Sequence, residues 1–172
     1  EMYNELKNLP SALARLEKTG IVTKEQASSI GTVGMIAKAS GIVRDIRTTH
    51  PHDLYEEIGH EPIIKNHGDV YSRTQIRKEE ILQSIGYIRD MNKNIPRENR
   101  NRQELKSPVP DSFTISLVEG WRGEICHCAI TDGQGELALY KVKDPSMHNW
   151  LALALAVRDN EISDFPICNK SF

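Results

Sequence analysis

The sequence predicts an α+β fold, in which a helical half with long amphipathic helices precedes a small antiparallel sheet and a buried helix. Apolar residues in 2–16 and 69–94 recur at steps of three and four, the spacing of one face of an amphipathic helix. Beyond a polar stretch, short β-branched segments alternate with turn residues, which is typical of antiparallel strands. The predicted strands cover residues 113–119, 124–131 and 136–143.

Composition divides the chain into three parts. Residues 96–110 are polar and bounded by prolines, which makes them the clearest linker. We therefore expect a helical part at 1–95 and a sheet with a helix at 111–172.

A chain of 172 residues is long enough to bury a real core. Helical or apolar patterns run up to both ends without a stop signal, so we interpret the sequence as an excised part of a longer polypeptide.

The first helical segment contains a proline, and its end and the next start have recognisable signals. Pro10 lies within the apolar stripe, so we expect a kink or two abutting helices. Gly20 is predicted to end the segment as a C-terminal cap. Thr23 and Gln26 have the spacing of a capping box, which predicts a short helix through about Ser28.

Residues 31–53 contain three glycines and a proline and have little periodicity. We predict an irregular, buried connection there, of the kind on which functional sites often lie. The following helix, 69–94, is predicted to begin at the cap residue Asp69 and to end at Pro96. Its predicted apolar face contains Ile81, Leu82, Ile85, Ile88, Met91 and Ile95. Its predicted solvated residues are Arg73, Arg77, Lys78, Glu79 and Glu80.

The sheet region has clear turn and helix-start signals. Residues 132–135, Asp-Gly-Gln-Gly, predict the turn between the second and third strands. Asp144 followed by Pro145 predicts the start of a helix that continues through Val157. Because this helix is apolar nearly all round, we expect other elements to cover every side of it.

The bulk composition excludes several classes of function. The formal net charge is −2, so electrostatics favour neither nucleic acid nor an anionic membrane as a partner. The sequence contains no signal peptide and no apolar run near the roughly 20 residues that a spanning helix needs, so we expect no direct membrane insertion. The three cysteines have spacings unlike a disulfide scaffold, which indicates a reducing compartment.

The cysteines and two histidines are the first candidates for chemistry. Cys126 and Cys128 are two apart on a predicted strand and so face the same side, but they lack the C-x-x-C spacing of zinc sites. They fit small, half-buried sheet residues, and Cys168 fits a buried thiol. His50 and His52 are close enough in sequence to share a metal ion, but no third ligand is evident.

The arginines are the second group of candidates. Arg44, Asp45 and Arg47 form a charge cluster inside an apolar, glycine-rich segment, and charges in such a place are normally paired. A structural ion pair and a role in a site are both consistent with this pattern. Arg122 lies in a tight feature between glycines, where a fixed guanidinium can offer directed donors to a ligand or can be structural.

Three blocks of sequence together resemble the large subunit of membrane-bound, energy-converting nickel-iron hydrogenases of the formate hydrogenlyase and carbon-monoxide-induced types. The same blocks are similar to the 49-kDa-type quinone-site subunit of respiratory complex I. Residues 119–124, Glu-Gly-Trp-Arg-Gly-Glu, favour the hydrogenase branch, since nickel-iron hydrogenases have Glu-x-Pro-Arg-Gly there and complex I relatives commonly have lysine at the arginine position. Trp121 replaces the usual proline. The blocks are residues 31–55, 67–73 and 118–150.

The resemblance implies a heterolytic cleavage of dihydrogen at a nickel-iron centre held by four cysteines in two C-x-x-C motifs. This chain has neither motif, so the resemblance implies the interior of the subunit, with Arg122 as its catalytic residue over the open side of the metals. No metal or cofactor is expected in the chain itself. The implied partners are an iron-sulfur small subunit, which carries the electrons away, and membrane subunits. The implied location is the cytoplasmic face of the membrane, as a peripheral part of the complex.

Two alternatives remain open from the sequence. One is a 49-kDa-type NADH:quinone oxidoreductase subunit that contributes to a quinone site. The other is a metal-free scaffold subunit that keeps the fold and holds partners together.

Overall fold

A computed structural model describes residues 2–52, 54–94 and 107–172, and it confirms the α+β architecture. The predicted end of the long helix and residues 96–106 of the predicted linker lie outside the described residues. The division into three parts stays a prediction. The helices are α1 (Met2–Lys7), α2 (Pro10–Leu16), α3 (Lys24–Ile30), α4 (Gly34–Ala39), α5 (Ile46–Thr49), α6 (Leu54–Ile58), α7 (Val70–Asn94), α8 (Ser146–Ala156) and α9 (Phe165–Ser171), with a 3₁₀ turn at Ile162–Asp164. The strands are β1 (Phe113–Gly120), β2 (Gly123–Thr131) and β3 (Leu137–Lys143).

The proline and the capping box act as predicted at the N-terminal end. Pro10 begins α2, so the first segment is two abutting helices. At the start of α3, the Gln26 amide donates to the Thr23 hydroxyl at 3.2 Å, and the Thr23 amide donates to the Gln26 side chain at 3.0 Å. Together these bonds satisfy two amides that lack a partner within the helix.

The role predicted for Gly20 is wrong, because α2 already ends at Leu16. Gly20 instead has a φ of +61° in the connection to α3. A Cβ atom there would lie 2.7 Å from the Cys168 sulfur and 3.0 Å from the Arg73 guanidinium. Glycine is therefore required by close packing against α7 and α9.

The connection 31–53 contains two short helices that the weak periodicity did not reveal. All six residues of α4 are buried, as predicted for this segment, whereas residues 48–50 are exposed. Helix α4 packs against α7, and α5 packs against β1. The segment therefore lies between the long helix and the sheet.

Helix α7 begins as predicted, with the Asp69 carboxylate accepting from the Ser72 amide at 2.8 Å. The predicted faces are wrong. Arg73, predicted to be solvated, is fully buried, and Glu80 is largely buried. The buried residues of α7, Val70, Ser72, Arg73 and Ile76, all lie in its N-terminal half, so burial follows position along the helix more than the apolar stripe. The predicted apolar residues that are exposed are Ile81, Leu82, Ile85, Ile88 and Met91.

The three strands form one antiparallel sheet in the order β1-β2-β3, which confirms the predicted hairpins. Gly120 pairs with Gly123, so Trp121 and Arg122 form a two-residue turn between β1 and β2. At the other turn, the Asp132 carboxylate accepts from the amides of Gln134 and Glu136, each at 2.9 Å. Among the described residues, the main core contains no strand residue and is formed by Val22, Ala27, Ile36, Val70, Ala152, Leu153, Ala156, Cys168 and Phe172.

Helix α8 starts as predicted, since the Asp144 carboxylate accepts from the Ser146 amide at 2.8 Å. The described residues cover only one side of α8, so the expectation of cover on every side stays a prediction about parts outside them. Ala152 and Ala156 are in the core, whereas Trp150 is 65% exposed on the opposite face. In the part of the chain that the structure describes, no helix is long and apolar enough to cross a membrane.

Candidate functional site

The turn that carries Arg122 is locked against the start of α4 by two glycines. Gly34 has a φ of +59°, and a Cβ atom there would overlap the carbonyl of Arg122. Gly123 has a φ of +128°, and a Cβ atom there would lie 2.7 Å from the Val33 side chain. A side chain at either position is excluded both by space and by the backbone conformation. The backbone of the turn therefore lies directly on α4.

Asn149 of α8 makes a second connection to the same turn. Its side chain is 5% exposed and uses both amide atoms. The carbonyl oxygen accepts from the Val33 amide at 3.1 Å, and the nitrogen donates to the Arg122 carbonyl at 3.2 Å. Sequence reasoning missed Asn149, because an asparagine in the first turns of a helix has no local signature of a long-range contact. Three elements, α4, α8 and the β1–β2 turn, are thus joined at one point.

Arg122 is an exposed residue and lines a cavity of about 350 Å³ between the turn, α8 and α9. Among the described residues it has no hydrogen-bond or ion-pair partner. Its donors are therefore available to a group in the cavity. The other lining residues are Ser146, Asn149, Trp150, Leu153, Asn169, Lys170 and Phe172.

A second arginine makes the surroundings of this cavity positive. Arg77 of α7 lies 5.6 Å from the centre of the Trp121 ring and donates to the carbonyl of Lys170 at 3.1 Å. Burial lowers the pKa of Arg77, and the positive charge of Arg122 lowers it further. The two positive charges therefore favour negative charge in their neighbourhood.

Replacing Gly34 with alanine is expected to displace the Arg122 turn and to destabilise the protein by more than Gly31→Ala does. Gly31 has a similar φ of +69° but no atom near its missing Cβ, so its replacement adds only backbone strain of about 1–2 kcal/mol. The difference between the two unfolding free energies, from urea titrations, isolates the contact with Arg122. Equal values for the two variants would contradict this packing.

A buried group of charged side chains lies on the other side of the turn, between α4, α5, α7 and β1. We call Lys38, Asp45, Arg47, His60, Glu80 and Glu119 the Lys38 cluster. The Lys38 ammonium lies 3.3 Å from Asp45, 2.5 Å from Glu80 and 3.6 Å from Glu119. Its side chain is 3% exposed. Buried ions of this kind require close partners, and here carboxylates from three elements supply them.

The charges of the arginine cluster are paired, which was one of the two possibilities that the sequence left open. Arg47 donates to both carboxylate oxygens of Asp45, at 2.9 and 2.6 Å, and lies 3.4 Å from Glu80. Arg44 pairs with Glu124 of β2 at 2.9 Å. Burial alone would raise the pKa of Asp45, but hydrogen bonds from Arg47 and His60 outweigh it and lower that pKa. Asp45 is therefore ionised in the folded protein.

The thiols and the two histidines do not form a metal site with the described residues. Cys126 and Cys128 face the same side of β2, as predicted, with their sulfur atoms 3.7 Å apart. Cys168 is buried, as predicted, and burial raises the pKa of its thiol. His50 and His52 are not buried, and the neighbouring Asp53 lies outside the described residues. Nowhere in the described ranges do three or more His, Cys, Asp or Glu side chains converge as metal ligands would. The residues present thus do not fit the four-thiolate set of a nickel-iron centre.

Comparison with known proteins gives the family of the chain. Residues 1–112 match the protein family described as respiratory-chain NADH dehydrogenase, 49 kDa subunit. A carbon monoxide-induced hydrogenase of Rhodospirillum rubrum is 30% identical over 94% of this chain and 45% of the relative. A relative from a Roseiflexus species, named as a subunit of NADH-quinone oxidoreductase, is 30% identical over 95% of this chain and 46% of the relative. Another NADH-quinone oxidoreductase subunit, from Phocaeicola vulgatus, is 34% identical over 77% of this chain and 25% of the relative.

The chain thus spans less than half the length of these relatives. Some of these relatives are named as NADH-quinone oxidoreductase subunits and one as a hydrogenase. The chain is therefore similar to both kinds of protein that the sequence blocks resemble. By the match over residues 1–112, this chain belongs to the 49 kDa subunit family of the respiratory-chain NADH dehydrogenases.

Proposed function

We propose that the chain is an interior part of the large subunit of a membrane-bound nickel-iron hydrogenase, and that Arg122 is its catalytic residue. The observation that carries the proposal is a guanidinium without a partner among the described residues, held over a cavity by a turn that is locked on two sides. The similarity to the Rhodospirillum rubrum hydrogenase over 94% of the chain supports it. Arginine at position 122 is also the residue that the hydrogenase pattern has there.

The chemistry assigned to this chain is electrostatic. A guanidinium is planar, permanently charged and able to direct several donors at one group. Gly34 and Asn149 hold the backbone of Arg122, so the turn keeps this side chain beside the cavity, where it can stabilise developing negative charge. The thiolates that would hold the metals are expected in C-x-x-C motifs elsewhere in the subunit. No step through the metals follows from the residues of this chain.

The partners and location proposed here follow from the same function. Electrons leave through iron-sulfur clusters in a small subunit, and the complex includes membrane subunits. The large subunit then lies on the cytoplasmic face of the membrane without inserting into it. The relatives named as subunits of quinone oxidoreductases are consistent with a multisubunit assembly.

A quinone-site subunit is the second candidate function. The description of the matching family and the names of the Roseiflexus and Phocaeicola relatives favour it. In that case Arg122 and the cavity beside it would bind a polar group of the electron acceptor or of a partner protein.

Nickel content and turnover of the complete complex distinguish these functions. We expect stoichiometric nickel in the complete large subunit, with hydrogen evolution from a reduced electron donor, and no bound nickel in the isolated 172-residue chain. Quinone reduction without nickel would replace the hydrogenase function with the second candidate. If neither activity is present, the chain is a scaffold. If the isolated chain bound a full equivalent of nickel, the inference that the metal ligands lie elsewhere in the subunit would be wrong.

A further inference from the structure

We propose that Cys126 and Cys128 form a dithiol site for a trivalent arsenical, a thiophilic compound whose arsenic atom bonds to both sulfur atoms. The two residues lie on β2, the central strand of the sheet, and both are free thiols. This inference does not rest on the proposed function, because it concerns only the chemistry of side chains on this strand.

The two sulfur atoms already lie close together. Residues two apart on a strand face the same side, and here the Sγ atoms are 3.7 Å apart. Two bonds of about 2.3 Å, the length of a zinc–thiolate bond, can join sulfur atoms up to about 4.6 Å apart through one shared atom. Thiolate sulfur is a soft ligand and prefers soft partners such as arsenic(III). One arsenic atom can therefore bond to both residues after small side-chain rotations.

The number of thiols selects the kind of ligand. Within residues 2–52, 54–94 and 107–172, no third His, Cys, Asp or Glu side chain joins the pair as a metal ligand would. Zinc and similar metal ions usually require three or four protein ligands, so two thiols do not suffice for them. An arsenic(III) atom with one organic substituent makes only two bonds to protein sulfur. The pair therefore supplies every protein ligand that such a compound needs.

Binding is a condensation in which arsenic stays trivalent. The hydrated arsenical has two hydroxyl groups on arsenic. Each As–O bond is replaced by an As–S bond, and each hydroxyl leaves as water with one thiol proton, so no oxidant or reductant is consumed. Once the first bond has formed, the second thiol reacts within the same molecule, where its effective concentration is high.

The surroundings of the pair leave room for the substituent on arsenic. The two cysteines are half-buried, and their cross-strand neighbours are Ile115 and Leu117 on β1 and Lys141 and Lys143 on β3. Directly opposite residues in neighbouring strands share one face of the sheet. Ile115 is 53% exposed, and both lysines are exposed. An aromatic substituent can therefore pack on the apolar side chains of β1.

The pair favours a ligand that binds both thiols over a reagent that attacks one. The hydrogen bond with Cys128 is the main cause that raises the pKa of the Cys126 thiol, and Lys143 opposes the rise. Alkylating reagents need a thiolate, and the thiolate fraction at neutral pH falls as the pKa rises. The condensation instead removes both thiol protons as water.

Binding of phenylarsine oxide to the complete large subunit tests this site. Arsenic per protein is measured by mass spectrometry after excess monothiol and free reagent have been removed. Cys126→Ser and Cys128→Ser are each expected to bind one equivalent less than the wild type, and 2,3-dimercaptopropanol is expected to release that equivalent. The difference between proteins is the measured quantity, so thiols elsewhere in the subunit do not affect it.

His127→Gln is the matched control, because His127 lies between the two cysteines but faces the other side of β2. This variant is expected to bind as much arsenic as the wild type. Equal binding by the wild type and both serine variants would overturn the site, as would a loss in only one of the two serine variants.

Protection of the wild-type thiols is a second measurement, which needs no variant to fold. After treatment with phenylarsine oxide, both Cys126 and Cys128 are expected to resist labelling by N-ethylmaleimide, as mapped on peptides by mass spectrometry. Treatment with the dithiol is expected to restore labelling of both together. Labelling of either residue at an unchanged rate in the presence of the arsenical would overturn the proposal.

Discussion

Replacing Arg122 with lysine is expected to lower hydrogen turnover by the complete complex about 100-fold or more, which is the effect of removing one well-placed donor from a charge-stabilising site. Lysine keeps the positive charge but replaces the planar, forked donor with a single flexible ammonium. The guanidinium of Arg122 has no hydrogen bond to the described residues, so the change removes no internal hydrogen bond of that group. Turnover is measured as hydrogen evolved from a reduced electron donor.

The matched control for this experiment is Arg89→Lys, because Arg89 is exposed on the distal half of α7. Nickel content of both variants shows whether the metal centre is retained. Full hydrogen turnover in Arg122→Lys, with normal nickel content, would exclude a catalytic role of Arg122. If the complex contains no nickel and Arg122→Lys lowers its quinone reduction, the result would instead support the second candidate function.

Replacing Lys38 with methionine is expected to destabilise the protein by about 3–5 kcal/mol, since it removes one partner of a buried ion pair. Methionine has similar length and fills the space, so the loss is mainly electrostatic. Asp45, Glu80 and Glu119 would then face a single cation, Arg47. Urea unfolding of the purified large subunit gives the free energy of unfolding of both proteins.

Lys65→Met is the control for the Lys38 variant. Lys65 pairs with Glu79 at 2.8 Å, but the two side chains are 26% and 36% exposed. Such a pair contributes about 0–1 kcal/mol, because water solvates both ions when the pair is broken. If the two variants lost similar amounts of stability, the Lys38 cluster would not be a buried, coupled network.

The sequence by itself was sufficient for features that depend on neighbouring residues. Pro10 divides α1 from α2 because it lacks an amide hydrogen and has a restricted backbone. The capping box at Thr23 needs only the side chain three residues later. The three strands were predicted within one residue at each end for the same reason, since alternation and turn residues are local.

The local signals did not identify the buried faces or the contacts of the site. The apolar stripe in the distal half of α7 is exposed, whereas Arg73 in the first half is buried and donates to Ser171 of α9. Arg73 can be buried there because it donates hydrogen bonds to the carbonyls of Gly20 and Gly68 and to the Ser171 hydroxyl. Gly20 and Ser171 are 53 and 98 residues from Arg73, so these two partners could not be recognised from the sequence around position 73.

In the candidate site, too, some features were evident from the sequence and others depended on the tertiary structure. The sequence alone identified Arg122 as a cation on a tight turn and Asp45 as a charge that requires a partner. Only the tertiary structure brought Asn149 to the carbonyl of Arg122, and Lys38 and Glu119 to Asp45. The physical reason is that secondary structure depends on bonds within a few residues, whereas burial and charge pairing depend on which distant segments exclude water together.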